Sequence, residues 1–164
     1  MKKDRLFLLA IISEIERELE NLKDFQSELD SIKNKKGIIY TRSRGSILHD
    51  FYNCCERIFK KIAIEMNEGY EETERWYKVL LYRMTIPLKD IRPQVISEEL
   101  AADLDEYLAF RHLFRSIYGF ELKGDRIDRL AEKFGGVSRR FAEEMGAFLE
   151  YLRKELEALS PNKK

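Results

Sequence analysis

Asp105 to Leu122 reads D-E-Y-L-A-F-R-H-L-F-R-S-I-Y-G-F-E-L, and the fold turns on this stretch. Its apolar spacing is helical and extends back to Ser97. Ser97 is a good N-cap, and Glu98 and Glu99 place negative charge in the first turn, where the helix dipole favours it. Gly119 stands where such a helix would end. At about 100° per residue, Leu100, Leu104, Tyr107, Phe114 and Tyr118 gather on one face. Arg111 falls in the middle of that face, and Arg115 sits one turn on, near its edge. Asp105, His112 and Ser116 line a separate polar strip. A guanidinium inside an apolar stripe costs several kcal/mol unless it has a partner. Either Arg111 pairs with a carboxylate on another helix, or the stripe opens onto a cleft or subunit interface where the charge meets an anion. The residues alone leave both readings open.

Outward from this helix, the rest of the chain repeats the helical period. Leu8, Ile12, Ile15, Leu19, Leu22, Phe25, Leu29 and Ile32 alternate three- and four-residue steps. They predict a first helix over 4–33, roughly 45 Å long. Asn34 to Gly37 is a polar break ending in glycine. A second helix begins at Ile38 or Arg44 and runs to Asn67, burying Ile47, Leu48, Phe51, Ile58, Phe59, Ile62 and Met66. A short helix is predicted over Glu71 to Met84, presenting Trp76, Val79 and Leu80. Pro87 and Pro93 forbid its continuation, and the apolar residues between them predict a connection tucked against the bundle. The last helix follows Lys123-Gly124 and runs to about Leu159 on a stripe from Ile127 to Leu156. Gly135-Gly136 inside it is a kink, a break or a close approach. No strand-like alternation appears. The fold predicted is all-α: one domain over 1–159, an antiparallel up-and-down bundle of four main helices with one short extra helix, and a disordered tail over 160–164.

Composition narrows the function classes. At 164 residues the chain is long enough for one real core. Basic and acidic residues balance at 30 each, which argues against non-specific coating of nucleic acid, so any RNA contact must come from a local patch. Cys54 and Cys55 are adjacent, cannot form an ordinary disulfide with each other, and suggest a reducing, cytoplasmic setting. Two histidines without CxxC or HExxH leave no recognisable metal site, and no cofactor is expected. The apolar run Leu6 to Ile12 is followed at once by Glu14, Glu16 and Arg17 with no small-x-small cleavage site, which argues against a signal peptide, and no stretch reaches the length of a membrane span. The second helix opens on Y-T-R-S-R-G-S, Tyr40 to Ser46. This start is either a solvated helix end or a contact for RNA phosphates and bases. His49 and Asp50 point about 100° apart on a helix, so the two alone make no dyad.

Residues 107–122 resemble the signature helix of HEPN-domain proteins, in particular the HepT-like toxins. Their motif is an Arg, four to six residues, a His, one residue and a Tyr. Arg111 matches the Arg and Tyr118 the Tyr, while the His position falls on Ser116. R-G-S-I-L-H-D-F-Y-N (Arg44 to Asn53), W-Y-K-V-L-L-Y-R-M (Trp76 to Met84) and R-P-Q-V-I-S (Arg92 to Ser97) are also similar to a HepT-like subgroup, so the likeness spans roughly residues 4 to 155.

The resemblance implies a metal-independent endoribonuclease acting as a homodimer, the toxin of a toxin–antitoxin pair. It implies a nucleotidyltransferase antitoxin that silences the toxin by adenylylating Tyr118. In that chemistry the RNA's own 2′-OH is the nucleophile, so the protein moves protons and holds a phosphate. Arg111, with Arg115 beside it, suits the phosphate. Arg42, Arg44 and His49 become candidates for RNA contact. Ser116 occupies the motif position, but a hydroxyl is a poor proton carrier near neutral pH. His112, one turn earlier on the same strip, is the candidate substitute. Two other classes remain: a HEPN bundle without its His that serves a nucleotidyltransferase as a docking subunit, and a purely structural bundle. A carboxylate salt-bridged to Arg111 within one monomer would favour the last, in which Tyr118 is simply a core residue.

Overall fold

The computed structural model describes residues 5–66, 68–69, 71–73 and 75–160; the expected tail, beyond Ser160, lies outside them. Five α-helices follow in order: α1 (Arg5–Ser31), α2 (Ile38–Glu65), α3 (Trp76–Arg83), α4 (Glu98–Ser116) and α5 (Gly124–Ala158), with a 3-10 turn at Gly119–Glu121 between the last two. No strand occurs among the described residues. The expected helical bundle is therefore the fold.

Side-chain pairs fix the packing. Arg5 meets Ser160, and Arg153 meets Glu16, so α1 and α5 run antiparallel. His49 faces Arg115 while Asn53 faces Arg111, which makes α2 and α4 antiparallel as well. Asp103 pairs with Arg140 and Tyr107 donates to the Leu130 carbonyl, which sets α4 antiparallel to α5. The four long helices form a square in the order α1, α2, α4, α5. Phe51 of α2 fills its centre, edge-on to Tyr107, Phe134 and Phe141 at centroid distances of 5.2, 4.9 and 6.3 Å.

Local chemistry explains where the elements begin and end. Gly37 enters α2 at φ 115°, a backbone region that favours glycine. Arg44, expected among the RNA contacts, is instead buried. Its guanidinium donates to the carbonyls of Ile32 and Lys35, at distances of 2.7 and 2.5 Å, at the C-terminal end of α1. A cation there satisfies orphan carbonyls and the helix dipole together. α3 starts at Trp76 rather than Glu71, after Arg75 in a left-handed conformation; Glu71 to Thr73 are exposed and have nothing to bury. Gly135-Gly136 does not break α5, and a Cβ on Gly135 would lie 3.7 Å from Gln26 of α1.

The proline-bearing connection is tucked in as expected. Val95 and Ile96 are buried, and both their amides donate to the Met84 carbonyl. Its centre is Arg92, whose side chain has no solvent exposure. Arg92 pairs with the Glu68 carboxylate and donates to the carbonyls of Ile86, Pro93 and Arg83.

Ser97 caps α4 as expected, accepting from the Leu100 amide at 3.1 Å, while its own amide donates to Glu144 of α5. The far end differs from expectation. α4 stops at Ser116, Ile117 is extended, and Tyr118 leaves the apolar face with 70% of its surface exposed. Glu121 holds the following turn, since its carboxylate accepts from the Tyr118 amide and its amide donates to the Tyr118 carbonyl. The core reading of Tyr118 is therefore overturned.

Candidate functional site

The C-terminal turns of α4 lie along a polar stripe of α2. His49, Asn53 and Glu56 recur at helical spacing along one side of α2, and Arg111 and Arg115 stand opposite them. Arg111 is 3% exposed. Its Nη2 lies 2.6 Å from Glu56 Oε2, its Nη1 donates to Asn53 Oδ1 at 3.1 Å, and its guanidinium lies 4.9 Å from the Tyr52 ring centre. The charge in the stripe thus has its carboxylate within one chain, which is the outcome that favours a structural role for this residue. The phosphate grip expected of Arg111 meets a guanidinium that is enclosed and already paired.

Arg115 differs. It is exposed and has no carboxylate partner among the described residues. Its Nε donates to His49 Nε2 at 3.3 Å, and its Nη2 donates to Asn53 Oδ1 at 3.3 Å. Asn53 Oδ1 therefore bridges both guanidiniums, and that orients its amide nitrogen toward His49 Nδ1, 3.2 Å away.

The His49 ring is held on several sides. Its side chain is 17% exposed, and the ring tilts against Phe114 at 4.9 Å. Arg115 Nε carries a hydrogen, so His49 Nε2 accepts. The ring proton of the neutral form then sits on Nδ1, which points at Asp50 Oδ1, 3.4 Å away. Burial pushes the imidazole below its ordinary value, and the charges of Arg115 and Arg111 act the same way against the opposing pull of Asp50. His49 is accordingly a neutral ring at neutral pH, with Nε2 as its accepting nitrogen.

The other expected site residues are dispersed. His112 is exposed and stacks on Tyr77 of α3 at 6.1 Å. It joins neither Arg111 nor Arg115. Ser116 is exposed, and its hydroxyl donates to the Leu113 carbonyl of its own helix at 3.0 Å. Tyr118 stacks on Phe120 at 5.3 Å with the rings 12° from parallel, and Phe120 is likewise 67% exposed. Arg42 crosses the same turn so closely that a Cβ on Gly119 would collide with its guanidinium. One face thus carries, in order, Arg111, Asn53, His49 with Arg115, then Arg42 with the aromatic pair.

Asn53 and Glu56 were not anticipated from the sequence. Their signal was available as a polar stripe at four- and three-residue steps from His49. A cavity of about 720 Å³ lies elsewhere, between the α1–α2 turn and α5, and its charged lining of both signs leaves it outside this cluster. Burial pushes the Cys54 and Cys55 thiols up, which keeps them protonated and makes them packing residues. Among the described residues no group of side chains could hold a metal ion, and no helix is long and apolar enough to cross a membrane.

The family of HepT-like proteins matches residues 43–152, more than half of the chain and all of the site but Arg42. No curated protein and no solved structure matches it.

Proposed function

Because this chain belongs to the HepT-like family, we propose that it is the toxin of a cytoplasmic toxin–antitoxin pair: a metal-independent endoribonuclease silenced when a partner nucleotidyltransferase adenylylates Tyr118. The observation that carries this reading is the face holding Arg115, His49 and the Tyr118–Phe120 pair. It offers a cation without a carboxylate, a neutral imidazole and a stacking surface in a row. RNA needs those three functions: a grip on phosphate, a proton acceptor and a platform for unstacked bases.

The roles follow from exposure. Arg115 grips the phosphate, since Arg111 is held by Glu56 and serves to fix Asn53. Tyr118 presents its hydroxyl to a nucleotidyltransferase without any unfolding. A phosphate added there meets Arg42, the cation that crosses the same turn. A second copy of the chain, facing the first across this surface, completes the cleft of a homodimer.

The test is cleavage of a mixed RNA pool in EDTA by purified protein, confirmed by mass spectrometry to be unmodified at Tyr118. Wild type is expected to cut and Arg115→Ala to lose cutting while keeping its fold. Treatment with the partner nucleotidyltransferase and ATP is expected to stop cleavage and to add one AMP, which Tyr118→Phe does not accept.

A second reading has its own support. Arg111 is paired within the monomer and the Ser116 hydroxyl is turned back on its helix, as suits a docking subunit for the nucleotidyltransferase. Folded, unmodified protein that binds the partner but leaves the RNA pool intact selects that reading.

A further inference from the structure

We infer that His49, from α2, replaces the histidine missing at Ser116 and is the residue that takes the proton from the attacking ribose hydroxyl. The inference rests on the nuclease reading above and names the proton acceptor of the same site.

Helix packing rather than sequence spacing delivers the ring. Ser116 is the motif position, but its hydroxyl is committed to the Leu113 carbonyl. Antiparallel packing of α2 on α4 brings a different imidazole, His49, to Arg115, one residue before that position. The ring is braced by Phe114 on its face and by Asp50 at Nδ1. Only Nε2 is directed at the cation that would hold the substrate. With the ring proton held toward Asp50, Nε2 keeps the lone pair for the reaction. His112 lacks these features, since its neighbour is Tyr77.

The step balances without a metal or redox partner. With a phosphate on Arg115, the guanidinium turns from Nε2 toward the phosphate oxygens and exposes the lone pair. The 2′-oxygen forms a bond to phosphorus as its proton passes to His49 Nε2. The bond from phosphorus to the 5′-oxygen breaks, and that oxygen leaves with the electron pair and takes a proton from water. The products are a 2′,3′-cyclic phosphate and a 5′-hydroxyl, and the His49 proton returns to solvent. The charged groups facing the ring are Asp50 on its own helix and Arg111 and Arg115 on α4. Burial and the two arginines outweigh Asp50, so the ring titrates below its ordinary value and is neutral and able to accept at neutral pH.

The experiment follows cleavage of the RNA pool in EDTA, with end-group analysis, for wild type, His49→Gln, His49→Ala and His112→Ala. Expected are cyclic phosphate ends, a loss of about a hundredfold or more in His49→Gln, and partial rescue of His49→Ala by added imidazole. The chain has two histidines, so NMR resolves both rings. The acid limb of the wild-type rate is expected to coincide with the titration of the His49 ring, below its ordinary value. A folded His49→Gln that cuts at the wild-type rate overturns the inference and leaves the nuclease reading standing, as does a loss that appears in His112→Ala instead. Folded, unmodified wild type that cuts nothing overturns both. If His49→Gln does not fold, the wild-type comparison decides: a rate inflection that departs from the His49 titration rejects the assignment.

Discussion

Arg92 and Arg115 show how differently one side chain can be used within a single bundle. Arg92 sits in the connection after α3 with no side-chain exposure, its donors taken by a carboxylate and three carbonyls. Arg115 sits at the end of α4 in solvent, and the partners it has are a neutral imidazole and a neutral amide. The first charge is neutralised by its surroundings and holds a loop in place. The second keeps its charge open to solvent. Arg111 stands between them in sequence logic but beside Arg92 in physics, because Glu56 closes its charge. The presence of an arginine in an apolar stripe therefore does not separate fold from function; the charge state of its partners does.

The comparison breaks first at Arg92. Arg92→Ala leaves the Glu68 carboxylate buried and unpaired, an expected loss of about 3–5 kcal/mol in urea denaturation. Loss of under about 1 kcal/mol, well inside the range of an exposed pair, would mean that the connection is not held by this ion pair.

Arg44→Ala comes next. It frees carbonyls at the end of α1, and about 2 kcal/mol is expected from the loss of charged hydrogen bonds, read in the same experiment. RNA binding is expected to survive it, since the Arg44 guanidinium faces the bundle.

Arg115→Ala is expected to cost within about 0.5 kcal/mol of stability, as suits an exposed residue. Its signature is elsewhere: one cation that holds the His49 ring neutral is gone, so the ring's titration moves up toward its ordinary value. A ring that does not move in NMR would detach His49 from Arg115.

The smallest effect is the pH dependence of stability from His49 itself. Its folded value lies below its unfolded one, so the neutral ring is favoured by folding. The contribution is present above the ordinary histidine range and is lost as the pH falls through that range toward the folded value. His49→Gln is expected to flatten the acid side of the stability curve by that amount.

What the sequence made legible follows the range over which each force acts. The Ser97 cap, the acidic first turn of α4 and the seam of α1 are local, and all were readable. The end of α4 was misjudged because no Pro or Gly stands before Gly119, while the turn that replaces the last helical residues is held by Glu121, three residues on. The Glu56 partner of Arg111 lies on another helix, and its choice depends on how α2 slides along α4. For the same reason His49 read as an isolated histidine next to Asp50. Its meaning comes from residues 66 positions away, a distance at which single-chain periodicity is silent.

The contact of Arg5 with Ser160, 3.0 Å apart, has a practical consequence. It puts the outer ends of α1 and α5 side by side at one pole of the bundle, while the α4 turn with Tyr118 lies at the other. The molecule can thus be tethered, tagged or joined head to tail at the first pole without covering the second. A chain closed head to tail near Arg5 and Ser160 keeps every helix whole and leaves the Tyr118 end facing free solution.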